Sequence, residues 1–205
     1  MKKILKKTVS LLLVVILTAS LGVSALAADQ TASAQAEGPL GIVSAMSEEL
    51  NALVEKTKIT RTEEIAGNTF YVGVLNGVDV VLVKAGIGKV LAASCAETLI
   101  DTYHVGGIVF TGIAGGVGDE VNVMDMVVAT ELVQHDYGTE TNDGFVWNGE
   151  AGSDQKTGMI PVDGTLSKIA YDAACDVLGE TKVHQGVIAT GDQFISSESY
   201  VKELQ

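Results

Sequence analysis

The sequence predicts an α/β domain built on a mixed, largely parallel β-sheet. Short apolar runs bounded by glycine and turn residues alternate with segments of helical periodicity, the pattern of strands crossing over through helices. Three strand-to-loop junctions carry glycine, as expected where ligands meet the ends of parallel strands. The 205 residues, 47% of them hydrophobic, supply one sizeable core and leave little room for a second. No internal repeat or heptad pattern competes with this reading.

The chain starts with a segment that is not fold material. Lys2, Lys3, Lys6 and Lys7 precede an apolar centre at Leu11–Leu17, and Ser24-Ala-Leu-Ala-Ala28 has the small-residue spacing of a cleavage site. Residues 1–27 are therefore expected to be an export signal, 28–38 a flexible spacer rich in Ala, Gln, Ser and Thr, and 39–205 the folded domain. An uncleaved anchor is the alternative, because Thr8–Ala28 is nearly long enough to span a bilayer. Cleavage after Ala27 removes four lysines and no acid, taking the formal net charge from −13 to −17. Such acidity disfavours nucleic-acid backbones and anionic lipid as partners.

Leu40–Ala45 is a short apolar run flanked by breakers, as in a strand buried on both faces. Ser47 reads as the N-cap of a helix over Glu48–Lys56, with Leu50, Leu53 and Val54 on one stripe and two acids at the positive end of the dipole. Strands follow at Lys58–Ala66, Thr69–Leu75 and Val78–Lys84. The two-residue signals Gly67-Asn68 and Asn76-Gly77 join them, the second a strong type I′ hairpin turn. Beyond Gly86-Ile-Gly-Lys89, a helix is predicted over Val90–Tyr103, then a strand at Gly107–Thr111, a glycine loop at Gly112–Gly118 and a strand at Met126–Val133. His135–Pro161 is polar and glycine-rich, with Tyr137, Phe145 and Trp147 scattered through it, and reads as a long functional or mobile loop. Leu166–Leu178 is helical in pattern with Gly179 as its stop, Val183–Thr190 is a strand, Gly191–Ile195 a turn, and Ser196–Leu204 opens a last helix.

Two cysteines and three histidines without ligand spacing make no case for a metal. Cys95 and Cys175 read as small buried apolar residues, a single bridge between them staying open for an exported protein. The glycine junctions are Ala85-Gly-Ile-Gly88, Thr111-Gly-Ile-Ala-Gly-Gly116 and Thr190-Gly-Asp192, and none has the spacing of a Walker A loop or a Rossmann fingerprint. Placed on one sheet edge with Glu48, Glu49, Asp192 and Phe194, they supply backbone donors, carboxylates and an aromatic face for a planar polar small molecule. His135 and Asp136, just past a strand, read as a solvent-facing pair, and Asp192 as either a purine neighbour or a turn-stabilising acid.

Met46-Ser-Glu-Glu-Leu50, Lys84-Ala-Gly-Ile-Gly-Lys-Val90, Thr111-Gly-Ile-Ala-Gly-Gly116 and Gly191-Asp-Gln-Phe-Ile195 resemble, in order and spacing, the motifs of the 5′-methylthioadenosine/S-adenosylhomocysteine nucleosidases of the nucleoside phosphorylase superfamily. The resemblance runs from about Leu40 to the end of the chain. It implies a three-layer α/β/α sandwich, a homodimer, and hydrolysis of the bond between adenine and a 5′-thio-substituted ribose without metal or cofactor. By the same resemblance Glu49 is the general base on water, with Glu48 left to the helix cap. Ala114 and Gly115 lie near the purine, Ile87 against the 5′-alkylthio group, and Phe194 with Ile195 on adenine. Two departures stand out. Ile113 occupies the place of a serine that helps to position the water, and nothing after Ile195 resembles the family's Glu-Met-Glu ribose motif or its Ser-Asp purine acid. The domain is thus expected to lack its C-terminal elements, and activity of the 205-residue chain is left open.

The partner implied is a small purine nucleoside, with no nucleic acid and no membrane after signal cleavage. Two other readings remain. A nucleoside phosphorylase or related nucleosidase is disfavoured because Glu48 and Glu49 would repel phosphate. An exported, non-catalytic nucleoside-binding module fits Ile113 and the missing Ser-Asp pair.

Overall fold

The structure, a computed structural model, describes residues 38–147 and 158–205. The expected export signal and all of the expected spacer but Gly38 lie outside the described residues. Among the described residues, no helix is long and apolar enough to cross a membrane.

The central strand is β1 (Leu40–Ser44). It pairs in parallel with β4 (Val78–Lys84) on one side and β5 (Gly107–Phe110) on the other. The meander β2 (Lys58–Ile65), β3 (Asn68–Leu75) and β4 completes a five-stranded sheet in the order β2-β3-β4-β1-β5. Side chains alternate across it, as strand geometry demands. Ile42, Val80 and Leu82 meet Leu50 of α1 (Ser47–Lys56) on one face. Val43, Val81 and Val83 meet Cys95 and Leu99 of α2 (Lys89–Asp101) on the other. Helix, sheet and helix make the three layers. Val80, Val81, Leu82 and Val83 are 0–1% exposed, and each such side chain stabilises the fold by about 1.5–3 kcal/mol on burial. Polar residues are absent from this run because both of its faces are covered.

The second half is built on β6 (Met126–Gln134), which runs parallel to β10 (Val183–Thr190) and antiparallel to the short β9 (Ile160–Pro161). α3 (Gly164–Leu178) packs on this sheet through Ala174 against Val128 and Val183. Asp163 caps α3 by accepting from the Leu166 N–H, and Gly179 ends it at φ +84°. A short final helix, α4 (Glu198–Glu203), is capped by Ser197.

Several expectations are corrected. The sheet is mixed rather than largely parallel, because two-residue turns force β2-β3 and β3-β4 to pair antiparallel, leaving only the partners of β1 and the β6–β10 pair parallel. The described strands are arranged as the central five-stranded mixed sheet, a three-stranded sheet and a two-stranded hairpin. The first turn is Ala66-Gly67, with φ of 51° and 82°, not Gly67-Asn68; Asn68 is already in β3, paired with Ile65. The expected long loop contains a hairpin, β7 (Gly138–Thr141) and β8 (Gly144–Trp147). Glycine at 138 leaves room for the Phe145 ring, and Trp147 Nε1 donates to the Gln134 carbonyl at 2.8 Å. Cys95 and Cys175 are both free thiols, and burial pushes the Cys95 thiol up.

Candidate active site

The parallel strands β4, β1 and β5 end together. Ser44 stands opposite Lys84 and Val43 opposite Phe110, and the backbone continues the ladder through Ala85 N–H to Ser44 O and Thr111 N–H to Val43 O, both 2.9 Å. The segments that follow, carrying Glu49, Ile87 and the Ala114-Gly115 pair, therefore leave from one edge of the sheet.

Glu49 is the third residue of α1. Its Oε2 accepts from the N–H groups of Ala45 (2.9 Å) and Met46 (2.8 Å), so it folds back over the β1–α1 turn and satisfies donors at the helix start. Its Oε1 accepts from the Ile113 N–H at 2.8 Å, across 64 residues of sequence. The capping duty expected of Ser47 and Glu48 belongs instead to Glu49: Met46 is the N-cap residue, Ser47 Oγ accepts from Lys84 Nζ at 3.3 Å, and Glu48 is exposed. A carboxylate has about four acceptor positions. Three are filled, two on Oε2 and one on Oε1, so the open position lies on Oε1, beside the glycine loop. Gly112 makes that approach possible, since a Cβ there would sit 2.7 Å from Glu49 Oε1. Ile113 thus contributes its backbone, while its side chain is 77% exposed.

A second group of contacts joins the loop after β4 to the ends of β6 and β10. Lys89 N–H donates to Asp192 Oδ1 at 2.7 Å, Asp192 N–H to Asp136 Oδ2 at 2.7 Å, and Lys89 Nζ to Asp136 Oδ1 at 2.6 Å. Asp136 is not a solvent-facing residue: its side chain is 10% exposed. Burial works to raise its pKa, but the hydrogen bonds from Lys89 and the Asp192 N–H outweigh burial and hold the carboxyl below the usual range. These contacts bring Ile87 and Phe194 onto neighbouring segments. Both side chains are open, at 76% and 96% exposure, and Ile195 is half-buried. Gly115 faces open space, with nothing within 4 Å of a Cβ placed on it.

The motif Thr111-Gly-Ile-Ala-Gly-Gly116 marked the loop but not the separate duties of Gly112 and Gly115. Asp136 read as solvent-facing and Lys89 only as part of a motif, because their pairing joins residues 47 apart in sequence. The only available sign was one lysine and two acids standing just beyond three strand ends.

Residues 39–204 match the family model of the phosphorylase superfamily. The chain is 34% identical over 167 residues to the 5′-methylthioadenosine/S-adenosylhomocysteine nucleosidase of Chromohalobacter salexigens, covering 81% of this chain and 68% of that protein. This chain belongs to the 5′-methylthioadenosine/S-adenosylhomocysteine nucleosidases. Among solved structures, the Neisseria meningitidis 5′-methylthioadenosine/S-adenosylhomocysteine nucleosidase in complex with methylthio-immucillin-A matches this chain with a TM-score of 0.72 at 32% identity, over 82% of this chain and 70% of that one. The futalosine hydrolase of Helicobacter pylori matches at TM-score 0.69 and 27% identity, over 82% and 70% of the respective chains. The α/β/α arrangement of this chain matches the fold of these solved structures.

Proposed function

We propose that the chain hydrolyses the N-glycosidic bond of 5′-methylthioadenosine and S-adenosylhomocysteine, releasing adenine, with Glu49 as the base that activates water. Family membership supports the reaction. The observation that carries the role of Glu49 is its anchored carboxylate, held by three backbone donors with one acceptor position left on Oε1. A water hydrogen-bonded there is aligned by a group that cannot rotate away. As the bond to adenine breaks, the sugar gains oxocarbenium character, and removal of a proton from that water makes it the better nucleophile. Departure of adenine calls for a proton on the purine, a task separate from that of Glu49. Ile87 is read as the contact to the 5′-thio substituent, Ala114 and Gly115 as the backbone beside the purine, and Phe194 with Ile195 as the adenine platform. The open space at Gly115 and the exposed Phe194 ring suit these roles.

The test is adenine release from 5′-methylthioadenosine with and without phosphate. Release that needs no phosphate, and that falls ~10²–10⁴-fold in Glu49→Gln, supports the reading. A phosphate requirement would make the chain a phosphorylase, and binding without release a nucleoside-binding module. Futalosine belongs in the same assay, given the similarity to a futalosine hydrolase.

Two further features belong to this reading. The unit is a homodimer in which a second copy covers exposed apolar residues, among them Ile87, Val90, Ile113, Val123 and Phe194, all 76–96% exposed. Light scattering should give twice the chain mass. The chain is also exported by its basic and apolar start and cleaved near Ala27, leaving residues 28–38 as a spacer before the domain, which mass spectrometry of the cell-envelope and secreted fractions would test.

A further inference from the structure

Helix α2 begins without a local cap: Gly88 precedes it at φ +108° and no side chain nearby in sequence accepts its first N–H groups. The acceptor arrives from 103 residues away, as Asp192 Oδ1 on Lys89 N–H. Asp192 is itself held by its backbone, because its N–H donates to Asp136 Oδ2. The Lys89 ammonium closes the ring, 2.6 Å from Asp136 Oδ1 and 3.8 Å from Asp192 Oδ2. Beside this ring, a Cβ on Gly191 would collide with the His135 imidazole, whose Nδ1 lies 3.3 Å from the Tyr200 hydroxyl. The segment leaving β10 is thus fixed at two successive residues.

We propose that Lys89, Asp136 and Asp192 are positioning residues that lock the segment bearing Phe194 and Ile195 to the segment bearing Ile87, and so set the spacing between the purine platform and the 5′-substituent contact. The inference rests on the assignment of those three residues to substrate in the preceding section. Its geometry does not depend on it. Ile87 is two residues before Lys89 and Phe194 two residues after Asp192, and each residue of chain spans at most ~3.3–3.6 Å, so a shift in the clamp reaches both contacts with little slack. The Lys89 and Asp136 side chains are 25% and 10% exposed, which shields their pair from the screening that weakens surface ion pairs. A cap supplied by Asp192 alone would order α2; the lysine and the second acid tie that cap to β6 and β10 as well.

The test compares Lys89→Met, Asp136→Asn and Asp192→Asn with the unaltered chain, first by hydrogen exchange. Amides of residues 191–195 are expected to exchange about tenfold faster in each variant, while those of β1 and β4 keep their protection. In turnover of 5′-methylthioadenosine, KM is expected to rise about tenfold with kcat within about threefold, and the Lys89→Met effect to vanish in an Asp136→Asn background. Lys89→Arg, which keeps the charge, is expected to recover part of the loss in KM. Unchanged exchange at 191–195 in both Lys89→Met and Asp136→Asn would overturn the clamp, as would a fall in kcat at constant KM. Because exchange needs no turnover, a chain that releases no adenine defeats the nucleosidase reading while the clamp is still decided by the exchange data.

Discussion

Two glycines of one loop, three residues apart, do different things. At Gly112 the space a Cβ would need is filled by the Glu49 carboxylate, 2.7 Å from Oε1 and 3.0 Å from Cδ. At Gly115 the same atom would meet nothing within 4 Å. Gly112→Ala should therefore displace the carboxylate from the Ile113 N–H, and adenine release should drop by ~10² or more, with circular dichroism unchanged. Gly115→Ala should leave stability within about 0.5 kcal/mol of the original, since neither φ nor packing opposes it. Its effect should appear in KM, where a methyl group enters the space read as the purine's. Glycine at 112 thus serves the protein and glycine at 115 the ligand, a distinction that steady-state kinetics of the two variants would reveal. The sequence motif shows both residues alike, because only the folded chain brings Glu49 to one of them.

Among the elements, local signals located β1, β3 and β4 to within a residue or two, because glycine or asparagine turns bound each run. They also placed α1 and α3, whose apolar stripes are periodic. Two features were not legible for a physical reason. The β7–β8 hairpin alternates too few apolar residues to announce itself, and it is ordered by contacts such as Trp147 Nε1 to Gln134 O that local sequence does not encode. The cap of α2 comes from a distant residue. The misplaced turn at Ala66-Gly67 is different: both residues have positive φ, as a type I′ turn requires, and alanine is a poor choice for the first. The left-handed conformation costs a residue with a Cβ about 1–2 kcal/mol, and asparagine bears it more easily. Ala66→Asn should stabilise the domain by about 1 kcal/mol in urea denaturation, with no change in the m-value. The residue pair Asn76-Gly77, which already has this chemistry, offers no such gain.

At the scale of the molecule, acid sensitivity should be uneven. Asp125 stands just before β6 and accepts from the Asn122 N–H at 2.9 Å and pairs with His184 of β10 at 3.1 Å. The Asn122 N–H, and after it the His184 hydrogen bond, hold its pKa below the ordinary carboxylate value. Asp136, just past the other end of β6, is lowered as well, burial opposing the shift and the Lys89 and Asp192 hydrogen bonds overcoming it. Each group has a folded pKa below its unfolded value of about 3.9, so the unfolded chain binds more protons as the solution turns acidic. Their contribution is complete above about pH 4 and is lost as pH falls through the folded values. Both carboxylates fasten the two ends of the β6–β10 pair, whereas the core of the five-stranded sheet is apolar on both faces. Acidification from about pH 5 to pH 3 should therefore release amide protection in β6 and β10 before β1 and β4. Thermal midpoints over the same range should fall less steeply in Asp125→Asn and Asp136→Asn than in the unaltered chain, because each variant lacks one of the linked protonation sites. Loss of protection in both sheets together would mean that the acid response belongs to other carboxylates, and that the β6–β10 sheet is held chiefly by the apolar contacts of Val128, Ala174 and Val183.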